Sequence, residues 1–265
     1  MNKAICEIKN ITEKGFLFML RTILFYFVFF LYMIYSLIKK FKLNKIRKSQ
    51  NEKEVQNYIN TALRKWADFI LKLINAEIDL KGKENLPSST CLFVSNHQGF
   101  LDIPIIVHSV DRTVGFIAKK EITKFKLIAY WMRQIKCVFI DRKSIRESMK
   151  SINEAIQILK SGHSMVIFPE GTRSKGPKIG DFKKGSLKLA LKAQVPIVPI
   201  AIDGSYKLRE GNKYSMIKSA KVKVTICEPI YTYKLSKEEL SDISNIVKQE
   251  ILKHIVVNNN SNQLL

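Results

Sequence analysis

Between residues 91 and 226 the chain alternates short apolar runs with stretches of helical spacing. CLFVS (91–95), TVGFIAK (113–119), CVFI (137–140), MVIF (165–168), PIVPIAI (196–202) and VKVTI (222–226) have the length and β-branched or aromatic content of strands. Ile145 to Lys160 carries Ile152, Ile156 and Leu159 on one face and runs into Gly162, a residue suited to ending a helix. Lys184 to Ala193 reads as a shorter, basic helix, and Ser236 to about Val257 opens on a Ser236–Glu239 capping box. Such alternation predicts an α/β domain, with a mixed, largely parallel central sheet flanked by helices and ligands at the carboxyl ends of its strands. No internal repeat is present.

Ahead of this domain lies FLFMLRTILFYFVFFLYMIYSLI, Phe16 to Ile38, with Arg21 as its one charge. Its length falls in the range of roughly 17 to 25 residues that crosses a bilayer. KKFKLNKIRK comes next, a cluster suited to the cytoplasmic leaflet. A signal peptide fits poorly: no small-residue cleavage site is present after the apolar core, and the basic cluster comes after that core rather than before it. The expectation is an anchor at the cytoplasmic (inner) membrane, with the domain in the cytosol. Arg21 and the aromatic residues would equally suit a helix lying in one leaflet, so spanning and in-plane arrangements both stay open.

From about Asn51 to Asp79, Val55, Ile59, Leu63, Trp66, Ile70, Leu73 and Ile74 recur at steps of three and four, predicting an amphipathic connecting helix. KGKENLPSS, Lys81 to Ser89, is turn-rich. The expected organisation is therefore an anchor and basic segment (1–50), a connecting helix (51–80), the α/β domain (81–257) and a disordered tail (258–265).

Among the 265 residues, 45 Lys and Arg oppose 23 Asp and Glu, a net charge of +22. Nucleic acid, an anionic membrane and acidic proteins could all answer such a field. Cys6, Cys91, Cys137 and Cys227 lie far apart without C-x-x-C or zinc-type spacing, and read as reduced thiols. No metal site is expected.

VSNHQGFLD, Val94 to Asp102, sets a histidine and an aspartate five positions apart. On a helix the two side chains would point about 140° apart, and on a strand to opposite faces. A strand-to-helix turn can bring them together, with Asp102 as N-cap before Ile103 and Pro104. The carboxylate could then hold the imidazole in one tautomer and steady the imidazolium. Taken alone, a capping aspartate and a loop histidine explain the same letters.

FPEGTRS, Phe168 to Ser174, also comes after a strand and would aim Thr172, Arg173 and backbone N–H groups at the same rim. FIDR, Phe139 to Arg142, delivers another guanidinium there, and planar guanidinium groups suit phosphate. Lys183 and Lys184 at a helix start are compatible with an anion, though surface lysines explain them nearly as well. Nucleotide-loop, dinucleotide, serine-elbow and zinc-protease motifs are all missing.

Taken in order, NHQGFLD, FIDR, FPEGTRS and VPIVPIAI (195–202) resemble the four blocks of the glycerolipid acyltransferases, and KGKENLP resembles the lead-in to their first strand. The similarity runs from about Gly82 to Pro229 and is greatest to the 1-acyl-sn-glycerol-3-phosphate acyltransferases. That family commonly has Ser after NHQ, where this chain has Gly99. The resemblance implies acyl transfer from an acyl carrier protein or coenzyme A thioester, as co-substrate rather than cofactor, to the sn-2 hydroxyl of lysophosphatidic acid in the membrane. His97 would be the base and Asp102 its orienter. Arg142 and Arg173 would clamp the acceptor phosphate with Lys184 as helper. Glu170 would order that site, and backbone N–H groups near Gly171 could meet the oxyanion. On this reading the basic field serves an acidic carrier and an anionic membrane surface rather than nucleic acid. Another lysophospholipid, glycerol 3-phosphate or an ornithine lipid could replace the acceptor; a non-catalytic membrane adaptor and a lipid hydrolase are the readings from other classes.

Overall fold

A computed structural model describes residues 2–183 and 185–255, with side chains from residue 15 onward. Lys184, the tail 258–265 and the expected domain end at 257 lie outside the described residues. The chain opens with the long helix α1 (Asn2–Arg47), then α2 (Glu52–Leu73). Next come β1 (Glu77–Lys81), β2 (Leu92–Ser95), α3 (Asp102–Ser109), β3 (Gly115–Lys119), α4 (Lys126–Gln134), β4 (Val138–Ile140), α5 (Ile145–Lys160) and β5 (Met165–Ile167). The chain continues through α6 (Lys188–Ala193), β6 (Ile197–Asp203), β7 (Lys221–Ile226), α7 (Lys237–Ser241) and α8 (Ile243–Leu252).

The strands form one sheet in the order β1-β7-β6-β2-β5-β3-β4, in which only the β6–β7 pairing is antiparallel. β2 lies at the centre, between β6 and β5, where the strand order changes direction. In such sheets a crevice opens beyond the carboxyl end of the strand at that point. The NHQGFLD segment leaves β2 at that end.

Side chains of the central strands divide between two cores with a period of two. Phe93, Val166, Val198 and Ile200 face Val55, Ile59 and Ile70 of α2, Ile105 and Ile106 of α3, and Phe25 and Leu43 of α1. Leu92, Val94, Met165 and Ile167 face Ile156 and Leu159 of α5, Leu189 of α6, and Val247 and Ile251 of α8. Each such fully buried side chain is worth about 1.5–3 kcal/mol, so helices on both faces fix the strand register.

Local signals set several boundaries. Asn51 accepts the Glu54 amide at 3.1 Å, Ser144 accepts the Glu147 amide at 3.3 Å, and the Ser236–Glu239 capping box is formed. Helix α2 stops at Leu73, short of the expected Asp79, because Asn75 adopts a left-handed φ of 49° and Glu77–Lys81 pairs with β7 as a parallel edge strand. The basic helix begins at Lys188 rather than Lys184, and the C-terminal helix is broken at Asp242. Asp102 is also corrected: Leu101 is the N-cap, and Asp102 is the first helical residue with its carboxylate turned back into the preceding loop.

Candidate active site

The loop after β2 is held in place by its own polar side chains. Asn96 continues the sheet with a side chain instead of backbone, donating Nδ2 to the Ile202 carbonyl and accepting the Ile202 amide, both at 2.9 Å. Gln98 accepts the amides of Gly204 and Ser205 at 2.9 and 3.1 Å. That pair of donors fixes the carboxamide orientation and leaves Nε2 buried without a partner among the described residues. The FPEGTRS loop lies alongside: Ser174 N–H donates to the His97 carbonyl at 2.7 Å, and Lys175 N–H to that of Gln98 at 3.1 Å.

Between these anchors the chain turns back, and His97 Nδ1 comes within 2.7 Å of Asp102 Oδ2. The same oxygen accepts the Gly99 amide at 2.9 Å, while Oδ1 accepts the Ser205 hydroxyl. Asp102 is fully buried and the His97 side chain 16% exposed, so the imidazole reaches the surface and its carboxylate does not. Oδ2 already accepts the Gly99 amide, so it takes the proton of Nδ1 as a second acceptor contact and leaves Nε2 as the acceptor nitrogen of the ring. The flat face of the ring stacks on Phe168, centroids 4.0 Å apart and planes 16° apart, and Phe116 continues the aromatic layer.

Glu170 braces the histidine from behind. Its Oε1 accepts the His97 amide at 2.6 Å, and its Oε2 accepts the Gly180 amide at 2.7 Å. Burial pushes this carboxyl above its ordinary value, and the two amide donors pull it partly back. A Cβ at residue 180 would stand 2.9 Å from Oε2, so a side chain there would push the Glu170 carboxylate off this amide.

The guanidinium groups are also partly committed. Arg142 donates through Nη1 to the Gly171 carbonyl, and its burial lowers its pKa from the ordinary value. Arg173 Nη1 lies 2.9 Å from Glu210 Oε1. A guanidinium has five N–H donors, so both retain a free part of the fork. Thr172 is exposed. Of the backbone amides near Gly171, its own donates to the Phe168 carbonyl at 3.0 Å and so is not free to meet an oxyanion. Its φ of +71° makes the turn, and a Cβ there would stand 2.8 Å from Lys183 Nζ. Among the described residues, Lys183 is therefore the lysine against this turn.

Gln98, inside the NHQGFLD segment, also belongs to the site, as do Ser205 and Glu210, which no sequence pattern marks. Ser205 and Glu210 join from more than 100 positions away in sequence. Two features lie on the opposite edge of the sheet. A cavity of about 360 Å³ opens beside Thr90 and Ser164, ahead of β2 and β5. Cys227, Glu250 and His254 present donor atoms within 4.8 Å of one another, but Lys253 Nζ, 2.6 Å from Glu250 Oε2, already supplies the positive charge there.

Within a largely parallel sheet, a buried Asp orienting a part-exposed His, flanked by cations, can remove a proton from a hydroxyl beside a bound anion. The description "Acyltransferase" belongs to the family model that matches residues 77–203, a stretch containing His97, Gln98, Asp102, Arg142, Glu170 and Arg173 but not Gly204, Ser205 or Glu210. The matched stretch places the chain with the acyltransferases. More narrowly, the chain belongs to the 1-acyl-sn-glycerol-3-phosphate acyltransferase family. It is 33% identical over 199 residues to a probable 1-acyl-sn-glycerol-3-phosphate acyltransferase of Mycoplasma pneumoniae, covering 69% of this chain and 75% of that one. To the chloroplastic 1-acyl-sn-glycerol-3-phosphate acyltransferase of Brassica napus it is 37% identical over 177 residues, 63% of this chain but only 51% of the relative. The crystal structure of the 1-acyl-sn-glycerophosphate (LPA) acyltransferase from Thermotoga maritima superposes with a TM-score of 0.76 at 29% identity, covering 89% of this chain and 96% of that one.

Proposed function

We propose that this protein transfers an acyl group from a thioester to the sn-2 hydroxyl of lysophosphatidic acid, giving phosphatidic acid in phospholipid biosynthesis. The observation that carries the reading is the fully buried Asp102 holding His97 Nδ1 at 2.7 Å while the ring keeps an exposed edge. His97 Nε2 takes the hydroxyl proton as the oxygen attacks the thioester carbonyl carbon. The resulting tetrahedral adduct expels the thiolate as the C–S bond breaks, and the imidazolium returns its proton to that sulfur. No acyl-enzyme is required, and the site presents no activated serine or cysteine among the described residues. Arg142 and Arg173 take the acceptor phosphate with the free parts of their forks, and Lys183 adds positive charge at the same turn. Glu170 positions the histidine through its backbone.

The acceptor resides in a membrane, and α1 supplies the tether. Its Gly15–Arg47 part is long and apolar enough to cross a bilayer. Yet one edge is fastened to the domain along its length. Arg21 Nη2 donates to the Ile74 carbonyl at 2.6 Å, Thr22 Oγ1 accepts the Ile217 amide at 2.9 Å, and Arg47 donates to Gln134. At about 1.5 Å per residue, those ties extend over about 39 Å of helix. A helix so held lies in the plane of one leaflet, with the exposed Ile23, Phe27, Phe30, Ile34 and Ile38 entering the lipid. The basic cluster then faces anionic headgroups on the cytosolic side of the inner membrane, where a coenzyme A or carrier-protein thioester can arrive.

The test is turnover by purified protein in vesicles, with one acyl thioester and a panel of acceptors. Phosphatidic acid from lysophosphatidic acid is the expected product. Preference for another lysophospholipid, glycerol 3-phosphate or an ornithine lipid would replace the acceptor, and fatty acid released without any acceptor would mean hydrolysis.

A further inference from the structure

Glu210 lies just beyond β6, outside all four sequence blocks, yet its side chain is only 2% exposed. One oxygen, Oε1, gathers three donors: the Phe100 amide at 2.8 Å, Arg173 Nη1 at 2.9 Å and Arg209 Nη1 at 3.3 Å. Arg209 in turn donates Nε to the hydroxyl of Tyr26 on α1 at 3.1 Å. One carboxylate therefore joins the loop that carries His97, the guanidinium of the FPEGTRS turn and, through Arg209, the apolar helix.

The other oxygen, Oε2, is buried without a partner among the described residues. It lies against Gly99, where a Cβ would stand 2.7 Å from it. Gly99 does not have the positive φ that would require glycine for its backbone. The space it leaves is filled by the Glu210 carboxylate instead. A buried carboxylate held by two guanidinium groups resists displacement, because moving it strands charge in a poorly solvated site.

We propose that Glu210 is a positioning residue for acceptor binding. Its carboxylate occupies the side-chain space of Gly99 and sets the distance between the Arg173 guanidinium and the His97 loop. The acceptor phosphate and hydroxyl must reach Arg173 and His97 together, so this spacing selects an acceptor of matching length. The inference rests on the acyl-transfer reading for its substrate, but the Glu210–Gly99 relationship does not.

The experiment is a double-mutant cycle on the full chain in vesicles, with wild type, Gly99→Ala, Glu210→Ala and the double variant, and Glu210→Gln beside them. Glu210→Gln is expected to raise KM for lysophosphatidic acid about tenfold while leaving KM for the acyl thioester within about twofold. Gly99→Ala is expected to lower kcat/KM about tenfold in the wild-type background and less than about twofold once residue 210 is Ala, a non-additivity that distant, independent sites do not show. Equal losses from Gly99→Ala in both backgrounds, or equal KM changes for both substrates in Glu210→Gln, would overturn the proposal. Thermal unfolding of the same four proteins reads the coupling without substrate. Wild type inactive on lysophosphatidic acid but with coupled unfolding midpoints would refute the functional reading and the acceptor role, and retain the Glu210–Gly99 contact. Additive midpoints would refute the contact itself.

Discussion

Ser205 Oγ donates to Oδ1 of Asp102, so both oxygens of a carboxylate that has no access to water have protein partners. The hydroxyl has one proton, and Gln98 Oε1 at 3.3 Å is already served by two amides, so the proton belongs to Asp102. Ser205→Ala strands a buried acceptor. It should lower stability by about 1–3 kcal/mol and kcat about tenfold, with both KM values unchanged. Denaturant unfolding and steady-state kinetics check the two parts separately. An unchanged kcat would remove Ser205 from the site.

Glu170 offers a test with a definite sign. Its carboxyl titrates above the ordinary value, so over the window between the unfolded value and the raised folded value the folded chain binds the extra proton. The contribution of this group to stability is therefore fully present below the unfolded value and lost as pH rises through the folded one. Glu170→Gln removes that pH dependence and turns an NH2 group toward an amide donor, at a cost of about 1–3 kcal/mol at neutral pH. Unfolding midpoints for both proteins between about pH 4 and 7 should show wild type losing more stability than the variant as pH rises.

Thiol chemistry should be irrelevant to turnover. Burial pushes the Cys91 thiol up to about 11 and those of Cys137 and Cys227 up to about 12, which keeps them protonated and unreactive. In a Cys6→Ser background, N-ethylmaleimide at about pH 7 should leave the folded enzyme unlabelled and fully active. Inactivation with labelling at Cys91, Cys137 or Cys227 would reopen covalent catalysis.

The disposition of α1 can be read by depth. Spin labels at Ile23, Phe27, Phe30, Ile34 and Ile38 share one exposed stripe. An in-plane helix gives them similar depths, whereas a spanning helix separates the first and last by about 22 Å along the bilayer normal. Collision accessibility to oxygen and a polar relaxant distinguishes the two.

How much of the fold is legible in the letters depends on the range of the interactions concerned. Six strands are visible, most of them as the apolar runs that buried parallel strands present, and β7 through its alternation of exposed lysines with buried Val222, Val224 and Ile226. β1 is not, because EIDLK continues the α2 periodicity, and only its pairing with β7, more than 140 positions later, makes it a strand. His97, Asp102, Glu170 and Arg173 lie in short segments whose position after strands already calls for a turn. The residues that brace them are hidden. Ser205 and Glu210 are common residue types in a segment without an obvious pattern, and they matter only because β6 ends beside β2. Asp102 reads as a cap because Asp before Ile-Pro commonly is one. A neighbouring hydroxyl, imidazole and amide draw the carboxylate inward instead.

The most direct measurement uses a doubly labelled reaction, with one label in the acyl group of the thioester and another in the glycerol of lysophosphatidic acid, comparing wild type with His97→Ala in the same vesicles. Both labels should appear together in phosphatidic acid with wild type. His97→Ala should bind the vesicles equally well and form product at least about 10³-fold more slowly, the scale of losing the general base. Phosphatidic acid formed by His97→Ala at a rate close to wild type would contradict the account.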